Sequence, residues 1–83
     1  MRFDARVEVT LRDGIADPEG ATIERALPAL GFHGVQGVRA GRSFRLSVDA
    51  ESADDARAVT QSLADRLLAN PVIERATVEL AEA

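Results

Sequence analysis

The sequence of 83 residues contains no cysteine, lysine, tryptophan or tyrosine. Without cysteine the chain forms no disulfide, binds no zinc through thiolates and performs no thiol chemistry. This excludes the disulfide-stapled secreted domains that are common at this length. Its apolar runs are a few residues long, far short of the roughly 20 that span a bilayer. Because the first residues already alternate charged and apolar side chains, we expect no signal peptide and a cytoplasmic location.

Aromatic residues and positive charge are also scarce. Three phenylalanines are the only aromatic residues, and the net charge is −4. RNA-recognition domains stack bases on aromatic side chains of an exposed sheet face and attract phosphates with basic surfaces. Phe3 and Phe44 fall on the apolar face of their predicted strands, and Phe32 follows a helix. We therefore expect no nucleic-acid partner, and no membrane partner either.

The residue types used in catalysis do not form a recognisable group. His33 is the only histidine and follows Gly31-Phe32 in a loop, where a solvated role suits it better than metal binding or general-base chemistry. The glycines form neither of the common phosphate-binding motifs, and no serine lies in a nucleophile motif. We expect this chain to carry no catalytic residue, metal or cofactor and to act by docking onto other proteins.

A long strand is predicted over residues 2–11. Its side chains alternate between an apolar and a polar face without a break, which is typical of a strand with one buried side. At about 3.3 Å per residue it spans roughly 33 Å, which is long for so small a domain. The apolar face comprises Phe3, Ala5, Val7, Val9 and Leu11.

Two helices are predicted from their caps and their apolar spacing. The first begins with Asp17 as N-cap and Pro18 in the first turn, and Gly31 ends it in the left-handed conformation. Pro28 conflicts with this helix and should kink or tighten its last turn. The second begins at Ser52, is stopped by Asn70-Pro71, and should face the core with Ala56, Val59, Leu63, Ala64, Leu67 and Leu68.

The remaining segments predict a hairpin over 35–49 and a last strand around 75–80. The hairpin turn lies within 39–42, either as a three-residue loop with a left-handed Gly41 or as a two-residue loop with a different register. Together the elements follow the ferredoxin-like order β-α-β-β-α-β in one α+β domain over residues 1–83, with an antiparallel sheet and two helices on one face. We expect every apolar stripe to be used within this compact unit.

Two surface features suggest contact with other chains. The second sheet face is polar with mixed charge, and it is either solvated or a subunit interface. The long first strand favours oligomerisation, because an uncovered edge tends to find a partner. Arg39 and Arg42 flank Gly41. Two guanidinium groups beside a glycine either remain solvated or grip a carboxylate or phosphate of a partner.

Four stretches, in order, resemble the PurS family, the small subunit of phosphoribosylformylglycinamidine synthase. The stretches are Val7–Leu11; Asp17–Gly20 with Ala26-Leu27 and Leu30–Phe32; Val35, Val38-Arg39 and Gly41-Arg42; and Leu67–Glu74. The last is the most specific, and the resemblance covers nearly the whole chain. Glu19, Pro28, Arg42 and the pair Arg75-Ala76 depart from the usual family pattern.

The resemblance implies a subunit of an ATP- and glutamine-dependent ligase of de novo purine biosynthesis. In that enzyme a glutaminase subunit releases ammonia, and a synthetase subunit uses ATP and magnesium to make the amidine. The small subunit is expected to carry no catalytic residue, to form a dimer or tetramer, and to bridge the other two while supporting ammonia transfer. Candidate partner contacts are Asp17, Pro18, Gly20, Arg39, Gly41, Arg42, Asn70 and Pro71.

Two alternatives stand beside this one. An ACT-like regulatory module shares the predicted element order and would bind a small ligand between subunits at the loop over residues 12–16, and tight binding of an amino acid would favour it. An autonomous enzyme would need a composite site across an oligomer interface, and turnover by the purified chain alone would favour it.

Overall fold

The computed structural model describes residues 1–83 and contains three strands and two helices. Helix α1 is followed by a 3-10 turn, and helix α2 continues into a π-helical turn. The bounds are β1 Arg2–Leu11, α1 Pro18–Ala26, the 3-10 turn Pro28–Leu30, β2 Gly41–Asp49, α2 Ala53–Leu63, the π turn Ala64–Leu68 and β3 Glu74–Glu82.

Strand β1 is the centre of an antiparallel sheet of order β2-β1-β3. Val7 lies opposite Phe44 of β2 on one side and Val78 of β3 on the other. As the alternation predicts, Phe3, Ala5, Val7 and Val9 are all buried on one face. The α+β class, the antiparallel sheet and the two helices are confirmed, and the ferredoxin-like order fits this arrangement.

The predicted hairpin over 35–49 is not formed within the chain. Only its second arm is a strand, β2, while residues 32–40 run outside the sheet. Gly41 does not adopt the left-handed conformation. It opens β2 opposite Thr10, where an added Cβ would lie 2.8 Å from the carbonyl oxygen of Val9. Close backbone approach, rather than a turn, is therefore what requires glycine at this position.

Helix α1 begins as predicted but ends before the predicted stop at Gly31. Asp17 caps it and Pro18 occupies its first turn. The helix ends at Ala26, because Pro28 cannot donate to a carbonyl one turn earlier, and a 3-10 turn replaces the last turn. Gly31 then closes this turn with φ of 89°. Among the helices and strands, helix α1 contacts mainly the 3-10 turn that follows it, and its large apolar side chains stay largely exposed.

Helix α2 packs across all three strands with a face that only partly matches the predicted one: Ala56, Ala64 and Leu68 lie in or against the core as predicted, whereas Val59 and Leu67 do not. Ala56, Thr60 and Ala64 are completely buried, and the Thr60 hydroxyl donates to the carbonyl of Ala56 at 2.8 Å. Val59 and Leu67, predicted as core residues, are 55% and 75% exposed. Small residues at every fourth position therefore form the contact with the sheet.

The π turn explains where the last two leucines lie. The amide of Ala69 donates to the carbonyl of Ala64 at 2.9 Å, which is the wider spacing of a π turn. The extra residue rotates the end of the helix, so that Leu68 packs into the core beside Val7 and Val9 while Leu67 points outward.

The chain is elongated, with extents of 51 × 27 × 15 Å and a radius of gyration of 16.2 Å. A compact domain of this length has a radius of gyration of roughly 12 Å. Large apolar side chains are exposed on the outer face of α2 and along α1 and the segment after it. The expectation that every apolar stripe is used within one compact unit is therefore wrong. No helix of the structure has the length and apolar content needed to cross a membrane.

We expect Ala64→Leu to destabilise the chain by about 1–3 kcal/mol, because Ala64 is completely buried against Val7, Val9 and Val78 and has no room for three more carbons. Urea-induced unfolding followed by circular dichroism measures the change. Ala58→Leu is the matched control, since Ala58 is exposed on the same helix and should tolerate the same substitution. Equal unfolding midpoints for the two variants would contradict this packing.

Candidate partner-binding site

The carboxylate of Asp17 joins the start of α1 to the segment that leads into β2. Its Oδ1 accepts a hydrogen bond from the amide of Gly20 at 2.9 Å, and its Oδ2 accepts one from the amide of Ala40 at 2.8 Å. These two backbone donors, helped by the nearby Arg39, lower the pKa of Asp17 below its ordinary value. Asp17 is therefore the predicted N-cap of α1, and it also connects α1 to residue 40 by a hydrogen bond.

Gly20 is buried where α1 crosses the same segment. An added Cβ would lie 2.5 Å from the carbonyl oxygen of Val38, a contact that no side chain tolerates. A second tie lies beside it, because the Oε1 of Glu24 accepts a hydrogen bond from the amide of Val38 at 2.8 Å. Residues 38–40 are thus bound to α1 by two carboxylates and by close packing.

Arg42 is occupied by contacts within the chain. Its Nη2 donates to both carboxylate oxygens of Glu74, at 3.2 and 3.1 Å, and to the carbonyl of Leu68 at 3.2 Å. Its guanidinium also lies over the ring of Phe44, 5.6 Å from the centroid. This side chain therefore joins β2 to the end of α2 and the start of β3, which leaves Arg39 as the freer of the two predicted arginines.

Glu74 organises the turn between α2 and β3. Its Oε1 accepts a hydrogen bond from the amide of Asn70 at 2.7 Å, and its side chain is only 16% exposed. The Asn70 amide, followed by Arg42, lowers the pKa of Glu74. Asn70 in turn accepts from the amide of Val72 through its own side chain at 3.1 Å, and Arg12 donates to the carbonyl of Pro71 at 3.0 Å.

Four of the predicted residues meet around one shallow cleft between α1 and the start of β2. The cleft has a volume of about 260 Å³, and its polar lining includes Glu19 and Glu74. The predicted residues that line it are Asp17, Pro18, Gly41 and Arg42.

Arg39, Asn70 and Pro71 lie around this cleft, whereas Gly20, also predicted as a partner contact, is buried against Val38 and is not open to a partner. Arg39 faces a neighbouring depression beside Glu24 and Arg25, and donates to the carbonyl of Ile15 at 3.4 Å. Asn70 and Pro71 adjoin the cleft through Glu74. The sequence analysis does not predict that Glu24, Arg12 and Glu74 form hydrogen bonds between distant parts of the chain. Glu74 was marked only as the end of the most specific stretch, and no local signal identified the other two.

The charged groups of Asp17, Arg42 and Glu74 are all hydrogen-bonded within the chain. The carboxylates of Asp17 and Glu74 already accept backbone hydrogen bonds, and His33 lies apart in an exposed loop. No group of three or more histidine, aspartate or glutamate side chains is arranged to bind a metal ion. The site presents a rigid polar surface whose shape depends on the two carboxylates.

Comparison with known proteins gives a consistent result. Residues 4–82 match the model of the family PurS, described as phosphoribosylformylglycinamidine (FGAM) synthase. The chain is 43% identical over 74 residues to phosphoribosylformylglycinamidine synthase subunit PurS of Mycobacterium leprae, covering 89% of this chain and 90% of the relative. It is 38% identical over 74 residues to the PurS subunit of Archaeoglobus fulgidus, covering 89% and 92%.

The fold gives the same match. A chain in the structure of PurLQS from Thermotoga maritima superposes with a TM-score of 0.89 and 33% identity. The superposition covers 98% of this chain and 99% of that one.

We expect Asp17→Asn to loosen the tie between α1 and residue 40, because an amide nitrogen would face a backbone donor. The folded-state pKa of Asp17 is lowered, so its contribution to stability is complete above the unfolded-state pKa of about 3.9 and is lost as pH falls through the folded-state pKa. The variant should therefore unfold more easily than the parent at pH 7, and the difference should shrink below about pH 4.

Thermal unfolding of both proteins between pH 7 and pH 2 measures this effect, and hydrogen exchange at the Gly20 and Ala40 amides localises it. Asp13→Asn is the control, since Asp13 is exposed and forms no ion pair. A difference between Asp17→Asn and the parent that is independent of pH would show that the carboxylate does not act through its charge.

Proposed function

The chain belongs to the PurS family, and we propose that it is the small, non-catalytic subunit of a multisubunit phosphoribosylformylglycinamidine synthase of purine biosynthesis. In this role it bridges a glutaminase subunit and a synthetase subunit and supports the passage of ammonia from one to the other. ATP and magnesium are used by the synthetase subunit, this chain binds neither, and the assembly works in the cytoplasm. The match to a chain in the structure of PurLQS from Thermotoga maritima supports such a role.

The observation that carries the proposal is the amount of apolar surface that one chain leaves uncovered. Leu30 is 70% exposed and Phe32 is 55% exposed beside α1, while Val59 and Leu67 are exposed on α2. A monomer of this size rarely leaves so many large apolar side chains in water, and groups of them mark surfaces that other proteins cover. The rigid cleft around Asp17 and Glu74 adds a polar surface of fixed shape beside them.

Part of this surface is covered by a second copy of the chain, as a dimer or tetramer. Strand β2 pairs only with β1, so its outer edge has free backbone donors and acceptors. Residues 32–40 run outside the sheet, with Phe32 and Val35 exposed. In such an assembly, residues 32–40 of one chain lie against the open edge of β2 in the other. The α1 of the first chain then packs against the outer face of α2 in the second, so that both uncovered surfaces are buried.

We expect glutamine-dependent amidine formation by the purified glutaminase and synthetase subunits to fall at least tenfold when this chain is left out, because ammonia then escapes before it is used. Activity with ammonium chloride in place of glutamine is the internal control and should change little. Amidine formed per minute, measured with each nitrogen source, separates the two cases. Full glutamine-dependent activity without the chain would defeat the bridging role.

We expect Leu67→Glu to reduce self-association while leaving the fold intact, because the new carboxylate lies on an exposed position of α2 that a partner has to desolvate. Sedimentation velocity gives the mass of the assembly, and circular dichroism checks the fold. Ala58→Glu places the same charge on a different exposed face of the helix and should leave the mass unchanged. An unaltered mass for Leu67→Glu would remove the α2 outer face from the self-association surface.

A further inference from the structure

Two residues of the loop between β1 and α1, Asp13 and Gly14, are exposed at the centre of a tight turn. The amide of Ile15 donates to the carbonyl of Arg12 at 3.2 Å and closes this turn. Gly14 has φ of 83°, and an added Cβ would meet nothing within 4 Å. The Gly14 amide itself donates to no group of the chain. A carboxylate on a short side chain therefore lies beside an unbonded and unhindered backbone nitrogen.

No other aspartate or asparagine of the chain has such a neighbour. Each of the others is followed by proline, which has no N–H, or by a residue whose amide lies in a strand, a helix or a hydrogen bond. These residues are Asp4, Asp17, Asp49, Asp54, Asp55, Asp65 and Asn70. The amide after Asp49, for example, donates to the carbonyl of Met1 at 2.9 Å. Asp13 is thus distinguished both by the glycine that follows it and by the free amide of that glycine.

The turn lies between two anchored points. On one side, the amide of Arg12 donates to the carbonyl of Ile73 at 2.9 Å. On the other, the carboxylate of Asp17 accepts two backbone hydrogen bonds. Of residues 13–16, only Ile15 donates a backbone hydrogen bond. This short span can therefore change conformation while both of its ends stay fixed.

We propose that Asp13-Gly14 is a modification site, at which Asp13 converts to isoaspartate without an enzyme. The nitrogen of Gly14 bonds to the side-chain carboxyl carbon of Asp13, and the carboxyl hydroxyl leaves with the amide proton as water. Water then adds to the five-membered imide and breaks one of its ring C–N bonds. Breaking the bond to the original main-chain carbonyl leaves the chain running through the side chain of residue 13, whereas breaking the new bond restores aspartate.

The product has the same mass, but its main chain is longer by a methylene group. Because both ends of the loop are anchored, residues 13–16 have to absorb the extra length, and the hydrogen bond from Ile15 to Arg12 is lost. The carbonyl of Ile15, which accepts from Arg39 at 3.4 Å, moves as well. The new α-carboxylate is the group that isoaspartyl methyltransferases recognise. Ageing of the chain thus alters a loop that adjoins the candidate partner-binding cleft.

Storage of the folded chain for several weeks in warm, mildly acidic buffer tests the proposal. Cleavage after glutamate releases the peptide over residues 9–19, whose aspartate and isoaspartate forms separate by reversed-phase chromatography. Electron-transfer mass spectrometry then assigns the modified residue. We expect isoaspartate at Asp13 to exceed that at all other aspartates together by about tenfold, because only glycine leaves the attacking nitrogen without a neighbouring side chain. Labelling of the stored protein by isoaspartyl methyltransferase and radioactive S-adenosylmethionine gives an independent measure.

Asp13→Glu is the matched control. It keeps the charge of the exposed turn, but its longer side chain cannot form the five-membered ring. The stored variant should take up far less methyl label than the parent and should unfold at the same temperature, as expected for an exposed substitution. The parent stored in guanidinium chloride should form isoaspartate at Asp13 no more than about threefold faster than the folded parent, because a single hydrogen bond holds the native turn.

The possible results are distinct. Selective conversion of Asp13 in the folded chain supports the site. Conversion in guanidinium chloride alone would show that the native turn protects Asp13, and equal label in the parent and Asp13→Glu would place the reaction elsewhere. Either result overturns the proposal, as does the absence of isoaspartate from both states. None of these results bears on the bridging role, which requires no modification of this loop.

Discussion

The unbroken alternation of β1 is the constraint on which the rest of the molecule depends. This strand lies at the centre of the sheet, and every pairing in the sheet involves it. Because side chains alternate between faces, a shift of one residue would move Phe3, Ala5, Val7 and Val9 from the core into water. The register with β2 and β3 is therefore fixed by burial, and it fixes in turn which charges meet on the opposite face.

The small residues on α2 determine which of its larger apolar side chains stay exposed. Ala56, Thr60 and Ala64 let the helix lie close to β1 and β3, and this leaves Val59 and Leu67 outside. The π turn strengthens the division by turning Leu68 inward and Leu67 outward. One face of α2 therefore packs against the sheet, while Val59 and Leu67 on its flank remain exposed.

Two carboxylates give the rest of the surface its shape. Asp17 and Glu74 each accept hydrogen bonds from backbone amides that no helix or strand partner satisfies. They fix residues 38–40 and the turn at Asn70 at the same end of the sheet, where the cleft lies between them. A surface built in this way is rigid at its rim, while the exposed apolar residues of α1 and α2 supply area that partners can cover.

The sequence by itself determined the elements that depend on local chemistry. The alternation of residues 2–11, the caps at Asp17 and Ser52, the interruption at Pro28 and the stop at Asn70-Pro71 all lie where they were predicted. The stretch Leu67–Glu74 also indicated the family. Each of these signals acts within a few residues, so it can be recognised without knowing what lies elsewhere in the chain.

Only the tertiary structure decided which face of α2 is buried, what Gly41 is for, and where residues 32–40 run. The spacing of Ala56, Val59, Leu63 and Leu67 fits a core stripe, but the sheet selects the smaller residues because they allow a closer approach. The position of Gly41 between two arginines is typical of a turn. Glycine is needed there instead because a side chain would clash with the carbonyl oxygen of Val9 on the neighbouring strand. These outcomes depend on groups that are distant in sequence, and for that reason no local pattern could predict them.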